Sequence, residues 1–330
     1  MAEQKASGNP EALRHAFLLD GKGSGEQVTL ESLERDDPAG RVAWIDLFYN
    51  HADAQAWVRA QRDIPPVVRE AMLEKDSRPG MFEYEHGFLL ILRGANMNEG
   101  ARPEDMISLR VWVDDRRVIT CRRRLLQSLR SVAHRLQKGD GPEHVGALLS
   151  DLIGELAQRI NAVDQQLNSA LAGIEIHSGT EAASKIEDAL SSLRHRTAIL
   201  RRYLAPQKEA MQRLHHYQGG LLQAQDRQEL QMHADTMLQC LEDIDLVREQ
   251  VMAMQDDMFN RLAMAQNARM YVLSIVAAIF LPMTFLTGLL GMNVGGIPLA
   301  VSPLGFLTIS GLSIALAGLL LYLFKRRRWL

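Results

Sequence analysis

The residues best suited to chemistry lie along one face of one long segment. Asn267, Met270, Ser274, Ala277, Leu281, Thr284 and Gly288 follow one another in steps of three or four, and Gly291 extends the series. On a helix that spacing makes a single stripe. Its members are small, polar or flexible, while Val272, Ile275, Ile279, Phe280 and Phe285 lie elsewhere. Hydroxyl, amide and carbonyl oxygens along an otherwise apolar helix suit the passage of a hydrated cation. Small residues also suit close helix contact in a membrane, so packing alone is the other reading of the stripe. One stripe encloses nothing by itself; a pore needs several copies around an axis.

Further back on the same segment, Glu242, Asp245, Glu249 and Asp256 continue roughly the same phase, through Asn260 and Ala263. A straight helix drifts about 20° per heptad against this register, so the match is approximate. A ring of such helices would form an acidic funnel that concentrates cations. The alternative is an ordinary solvated helix face.

Candidate metal ligands elsewhere are sparse. His215 and His216 are adjacent, and neighbouring residues on a helix point apart. His233 and Cys240 are two turns apart on one face, about 10 Å, too far for chelation within one chain. A site that they share between subunits is a secondary possibility. Cys121 and Cys240 have no partner at zinc-finger spacing and read as free thiols. Gly21-Lys22-Gly23-Ser24-Gly25 lacks both the phosphate-loop ending and the dinucleotide spacing, so it reads as a hairpin turn. With no nucleophile motif, phosphate loop or hydrolase spacing, the sequence predicts no enzyme and no resident cofactor.

The elements that must position the stripe are set by one property. From Tyr271 to Phe324 there is no Asp, Glu, Lys, Arg or His. Tyr271 to Leu290 is about 20 residues, roughly 30 Å of helix and one hydrocarbon thickness. Gly291-Met292-Asn293-Val294-Gly295-Gly296-Ile297-Pro298 then breaks the helix, and Leu304 to Phe324 is a second apolar run. The pattern predicts a transmembrane hairpin. Arg261 and Arg269 precede it, Lys325 to Arg328 follow it, and the connecting loop has no basic residue, so both termini are predicted to be cytoplasmic. Residues 1–16 contain Glu3, Glu11 and Arg14 and no apolar segment, so no signal peptide is expected. A net charge of -3 on 330 residues, 23% of them charged, gives no reason to expect nucleic-acid binding.

Taken in order, residues 1–16 are expected to be disordered and 17–122 to form a cytoplasmic α/β domain. Strands are predicted at Phe17 to Asp20, Val42 to Tyr49, Gly87 to Arg93, Met106 to Val113 and Arg116 to Cys121, and helices at Asp53 to Arg62 and Pro65 to Glu74. Residues 123–225 read as long cytoplasmic helices: Leu125 to Gln137, Glu143 to Ile174, and Thr180 to Tyr217 with a kink or break at Pro206. A stalk helix, 226–270, runs without a breaker into the first span, 271–290, about 65 residues and roughly 97 Å in all. An outward loop, 291–303, a second span, 304–324, and a basic tail, 325–330, complete an α+β membrane protein. Pro282 frees a carbonyl in mid-span, which Thr284 or pore water could satisfy.

Phe280-Leu281-Pro282-Met283-Thr284-Phe285, Gly291-Met292-Asn293 between two spans, and the tail Lys325-Arg326-Arg327-Arg328-Trp329-Leu330 together resemble the CorA superfamily of divalent-cation transporters. Within it the chain is most similar to the zinc-transporting ZntB branch. Leu18-Leu19-Asp20-Gly21, Ser77-Arg78-Pro79, Arg201 to Gln207 and the uncharged loop after Asn293 carry that likeness. Magnesium-transporting members usually have Tyr or Phe before Gly-Met-Asn and an acidic loop residue; here Leu290 and no carboxylate stand there.

The resemblance implies a funnel-shaped homopentamer in the inner membrane, with a pore lined by the first span. It places Asn293 at the outer mouth with Gly291 and Met292 shaping the turn, and makes Met270 and Leu281 the narrow apolar points. Thr284, Gly288 and Asn267 follow down the pore. It implies Zn²⁺ as the transported ion and uptake coupled to protons. A CorA-type Mg²⁺/Co²⁺ channel and a membrane-anchored cation sensor that does not transport remain as alternatives.

Overall fold

The computed structural model describes residues 13–35, 40–177, 182–292 and 304–326. The chain divides into two compact units, residues 1–253 and 254–330.

The first unit is built on a seven-stranded mixed sheet. Its strands are β1 (Leu13–Leu19), β2 (Gly25–Gln27), β3 (Ala43–Phe48), β4 (Gly80–Tyr84), β5 (Gly87–Gly94), β6 (Ile107–Asp114) and β7 (Arg117–Arg122). The order across the sheet is β2-β1-β3-β7-β6-β5-β4, and only β3 and β7 pair in parallel. β5, β6 and β7 are buried along nearly their whole length because the sheet is covered on both faces. One face packs on α2 (Ala52–Ala60) and α3 (Pro66–Leu73), where Ala54, Val58, Val68 and Met72 meet Ile45, Leu89, Ile91 and Trp112. The other face meets the long helices. At Gly94 a Cβ would stand 2.5 Å from the Leu156 side chain, so any larger residue would make Leu156 of α5 (Val145–His177) shift.

Strand signals were readable from alternation and β-branched content, and the hairpin turn at Gly21–Gly25 is present between β1 and β2. Three differences stand out. β1 begins at Leu13, inside the stretch expected to be disordered, because Ala16 and Phe17 pair with β3 and bury their side chains there. The sequence reading missed the two edge strands, β2 and β4, and α1 (Leu30–Arg35), each six residues or fewer. α6 (Ala183–His215) runs through Pro206 as one helix, so of the kink or break expected there the break does not occur. Its flanks Leu204, Gln207 and Ala210 are buried, so tertiary packing outweighs the one lost backbone bond.

A buried polar knot fixes the parallel pair. Arg122 donates to Asp46 at 2.6 and 3.1 Å, Thr120 Oγ1 donates to Asp46 Oδ1 at 2.9 Å, and Trp44 Nε1 donates to Thr120 Oγ1 at 3.2 Å. The Arg122 guanidinium also covers the Phe48 ring. Every charge here is met, which a side-chain exposure of 1% for Arg122 and 0% for Asp46 demands.

α4 (Gln127–Lys138) ends at Gly139, whose φ of 80° needs no Cβ. α5 and α6 are long neighbours, and α7 (Ala224–Leu290) packs its buried face, Leu230, Ala234, Met237, Ile244 and Val247, among them. His233 comes within 2.8 Å of a Cβ built at Gly154 on α5, and Met237 Sδ lies 3.4 Å from Gln207 Nε2 on α6.

Replacing Asp46 with Ala leaves Arg122 buried without a counter-charge. The expected cost is about 3–5 kcal/mol, read as a large drop in the thermal or denaturant midpoint of the full chain. A loss below 1 kcal/mol would show that water reaches the site.

Candidate functional site

The second unit contains the end of α7 and α8 (Gly305–Arg326). Both helices are long and apolar enough to cross a membrane, with mean hydropathies of 2.2 and 2.1 over their apolar windows. Those windows are 0% and 6% buried, so among the described residues the fold of one chain fully buries almost none of them.

The two helices meet along defined faces. On α7, Ile275, Ile279, Pro282, Leu286 and Leu290 are half-buried. On α8 the protected positions are Gly305, Ile309, Ser313, Leu316 and Leu320. Gly305 and Ser313 are small, which permits close approach. Near the end of α7, Thr287, Leu290 and Gly291 share a cavity with Phe306, Ile309 and Ser310.

The stripe sits away from this contact. Asn267, Met270, Ser274, Ala277, Leu281, Thr284 and Gly288 are all exposed. At about 100° per residue their mean direction is about 150° from that of the half-buried positions. Pairing with α8 therefore does not account for the small residues. A Cβ built at Gly288 has nothing within 4 Å, so its backbone lies open. The hydroxyls are turned to their own helix: Ser274 donates to the Met270 carbonyl at 2.8 Å and Thr284 to the Phe280 carbonyl at 2.8 Å. Thr284 thus does not serve the carbonyl freed by Pro282, which belongs to residue 278. The hydroxyl oxygens keep lone pairs for a cation or its water.

Gly291 and Met292 are exposed at the end of α7, where the Gly291 amide still donates to the Thr287 carbonyl at 2.9 Å. Asn293, the rest of the loop predicted to face outward, the tail beyond Arg326 and residues 1–12 lie outside the described residues.

On the α7 segment of the first unit, Glu242 and Glu249 are exposed, and so is Asp256 at the start of the second. Asp245 differs. It accepts from Arg201 of α6 at 2.6 Å and lies 3.8 Å from Arg248, so its charge is already largely met. Among the described residues, no group of three His, Cys, Asp or Glu side chains is placed to hold a metal. His233 and Cys240 both turn toward α5, against Gly154 and Asn161, which leaves them unsuited to a site shared between subunits. His215 and His216 stack edge to face at 5.2 Å at the end of α6.

One buried ionisable group was missed by the sequence reading. Asp164 of α5 is buried with Oδ1 unpartnered; its Oδ2 accepts from Asn168 at 3.2 Å. Burial, and then the charge of Asp243 on α7, push its carboxyl up to about 6. Burial also pushes the nearby Cys240 thiol up to about 12, with Asp164 and Asp243 adding to it, so it is not a thiolate ligand at neutral pH. The signal for Asp164 was its place in the apolar series Ile160, Val163, Leu167 and Leu171.

Two uncharged helices of membrane-spanning length, left largely uncovered by the fold of one chain, mark a membrane protein. The comparisons agree. The family model described as CorA-like Mg²⁺ transporter protein matches residues 39–326. The chain is 34% identical over 327 residues to the divalent cation transporter CmaX of Pseudomonas aeruginosa, covering 98% of both chains. It is 31% identical to the zinc transport protein ZntB of Yersinia enterocolitica, covering 96% of this chain and 95% of that one. The solved full-length CmaX protein superposes with a TM-score of 0.85, covering 98% of this chain and 100% of that one. The CorA magnesium transporter of Methanocaldococcus jannaschii, 19% identical, shares the fold at a TM-score of 0.78 over 96% of this chain and 99% of its own. The chain belongs to the CorA family of metal ion transporters, and its activity is divalent-cation transport.

The folded chain holds the Asp164 proton to higher pH than the unfolded chain, whose value is 3.8. The stability this contributes is full below about pH 4 and is lost as pH rises through about 6. Asp164→Asn is therefore expected to stabilise the full chain by about 1–3 kcal/mol at pH 7.5 and to be neutral near pH 4, as read by thermal melts. An equal shift at both pH values would mean a packing effect.

Proposed function

We propose that the chain carries Zn²⁺ across the cell inner membrane as a homopentamer, inward, with both termini cytoplasmic and the α7 stripe facing a shared axis. The observation that carries this reading is the stripe's position opposite α8. Oxygen-bearing and small residues that the hairpin leaves uncovered need either water or neighbouring copies, and five such helices around an axis supply both. Met270 and Leu281, 64% and 71% exposed, would narrow the path. The ring would continue through Glu242, Glu249 and Asp256, with Asp245 partly neutralised, as an acidic approach that concentrates cations.

Support for zinc is chemical and by likeness. The loop after Gly291-Met292-Asn293 has no carboxylate to capture a tightly hydrated Mg²⁺ at the mouth. Zn²⁺ exchanges its water more readily and accepts N and S ligands. The ZntB relatives point the same way. A second reading, a Mg²⁺/Co²⁺ channel, is favoured by the description of the matching family model. Proton coupling enters through the likeness to ZntB. Tyr271 to Phe324 holds no carboxylate, histidine or basic group, so a coupled proton would have to be handled outside the spans.

The test is flux into proteoliposomes. Zn²⁺ uptake is expected to exceed Mg²⁺ uptake and to rise when the transport side is made acidic. Mg²⁺ flux indifferent to pH would establish the second reading. Absence of any divalent flux from folded, oligomeric protein would leave a sensor.

Gly288→Leu separates pore from packing. The position has room for a side chain within one chain, so the variant is expected to fold and assemble like the parent while flux falls at least roughly tenfold, as a blocked constriction requires. An oligomer that falls apart instead, seen by size-exclusion with light scattering, would make the stripe a packing face.

A further inference from the structure

The α/β domain contains a cavity that ion passage does not use. Its volume is about 540 Å³, within the usual range of small-molecule sites. β3, β7 and β5 run in the same direction across the sheet. Tyr49 follows β3, Arg123 and Arg124 follow β7, and Arg93 stands near the end of β5; all four line the cavity. It therefore lies at the carboxyl ends of co-directional strands, the place where open α/β sheets receive ligands.

Its charge is lopsided. Lys75, Arg93, Arg123, Arg124 and Arg202 line it, against Asp76, Glu104 and Asp105. Glu104 is already paired with Arg196 at 3.2 Å. Behind the wall stands Arg110, fully buried, its guanidinium 4.6 Å from the centre of the Tyr49 ring. Its Nη2 donates to the Glu74 carbonyl, while Nε and Nη1 have no partner. Arg93 spends its Nη groups on the Ser77 and Met106 carbonyls, and its Nε has no partner. Burial lowers the Arg93 pKa, and the neighbouring Arg110 charge adds to the shift. Asp76 offsets Arg93 only through space, and two adjacent guanidinium groups with unpartnered nitrogens are costly to bury; an anion beside them relieves that cost.

The kind of anion can be narrowed. The Tyr203 ring is already covered by Arg93 at 4.5 Å and approached by Arg202 at 5.6 Å, and Tyr49 by Arg110. The aromatic faces are thus engaged, and recognition falls to charge rather than to stacking of a base. Glu104 Oε2 is buried without a donor. A hydrogen phosphate brings its own O–H to such an acceptor, and a sulfate does not. Guanidinium forks suit the phosphate oxygens. We propose that this cavity binds a phosphate group, free or as a small phosphomonoester, so that the transporter's soluble domain also reads a phosphorylated ligand.

Isothermal titration of the detergent-solubilised full chain tests this, in metal-free buffer at constant ionic strength set by chloride. The probes are inorganic phosphate, glycerol 3-phosphate and sulfate; the tighter of the first two identifies the source. Saturable phosphate-class binding is expected, with sulfate clearly weaker. The double variant Arg124→Gln/Arg202→Gln changes two exposed residues, so its anion-free melting point should match the parent, while affinity drops roughly tenfold or more. Arg130→Gln, exposed on α4 outside the cavity, should bind like the parent. No saturable binding at millimolar phosphate, sulfate binding as tightly as phosphate, or binding that survives the double variant would each overturn the proposal.

Discussion

The constraint on which everything else rests is an uncovered apolar surface. From Tyr271 to Phe324 the chain offers no charge, and within one chain its two helices hide almost none of their side chains. Water cannot be the solvent of such a surface, because each exposed Leu or Phe would carry roughly 1.5–3 kcal/mol of unfavourable transfer. Lipid and further protein must supply the cover. Backbone satisfaction then forces both segments to be helices, since no other open structure meets its own N–H and C=O groups in hydrocarbon. The hydroxyls of Ser274, Thr284 and Thr287 obey the same rule and bond back to carbonyls of their own helix.

With helices fixed, the division of faces follows. α8 takes the side of α7 marked by Ile275, Ile279, Leu286 and Leu290, leaving the small and polar side outward. In lipid that side would be poorly matched, since it neither fills space well nor buries its polar atoms. The proposed common axis among identical chains would give these residues both close neighbours and water. The first-unit part of α7 is organised differently: its apolar face is consumed by α5 and α6, and Asp245 is drawn to Arg201.

The α/β domain supports this helix through a rigid sheet whose parallel seam is pinned by Asp46, Thr120 and Arg122. It also stores charge that the transport path does not use. Arg93 and Arg110 stand side by side with unpartnered nitrogens, and Asp164 keeps an unpartnered carboxyl oxygen between helices. Buried polar groups left in this state are costly, and they mark the places where this fold departs from what packing alone would choose.

The sequence by itself determined the hairpin, the continuity of α7 and the stripe. These depend on periodicity, on the absence of charge and on the absence of Gly or Pro from Arg227 to Phe280, all local properties of one segment. The main strands were legible for the same reason. Only the tertiary structure decided which neighbour each face meets. Residue spacing shows that Asp245 shares a phase with Glu242, but not that Arg201, 44 residues away, reaches it. It shows that His233 and Cys240 share a face, but not that α5 covers it. It gave no sign that Arg93, Arg124 and Arg202, distant in the chain, line one cavity. Periodicity is set within a helix or strand by backbone geometry, whereas pairing across the fold is set by long-range packing that no single segment encodes.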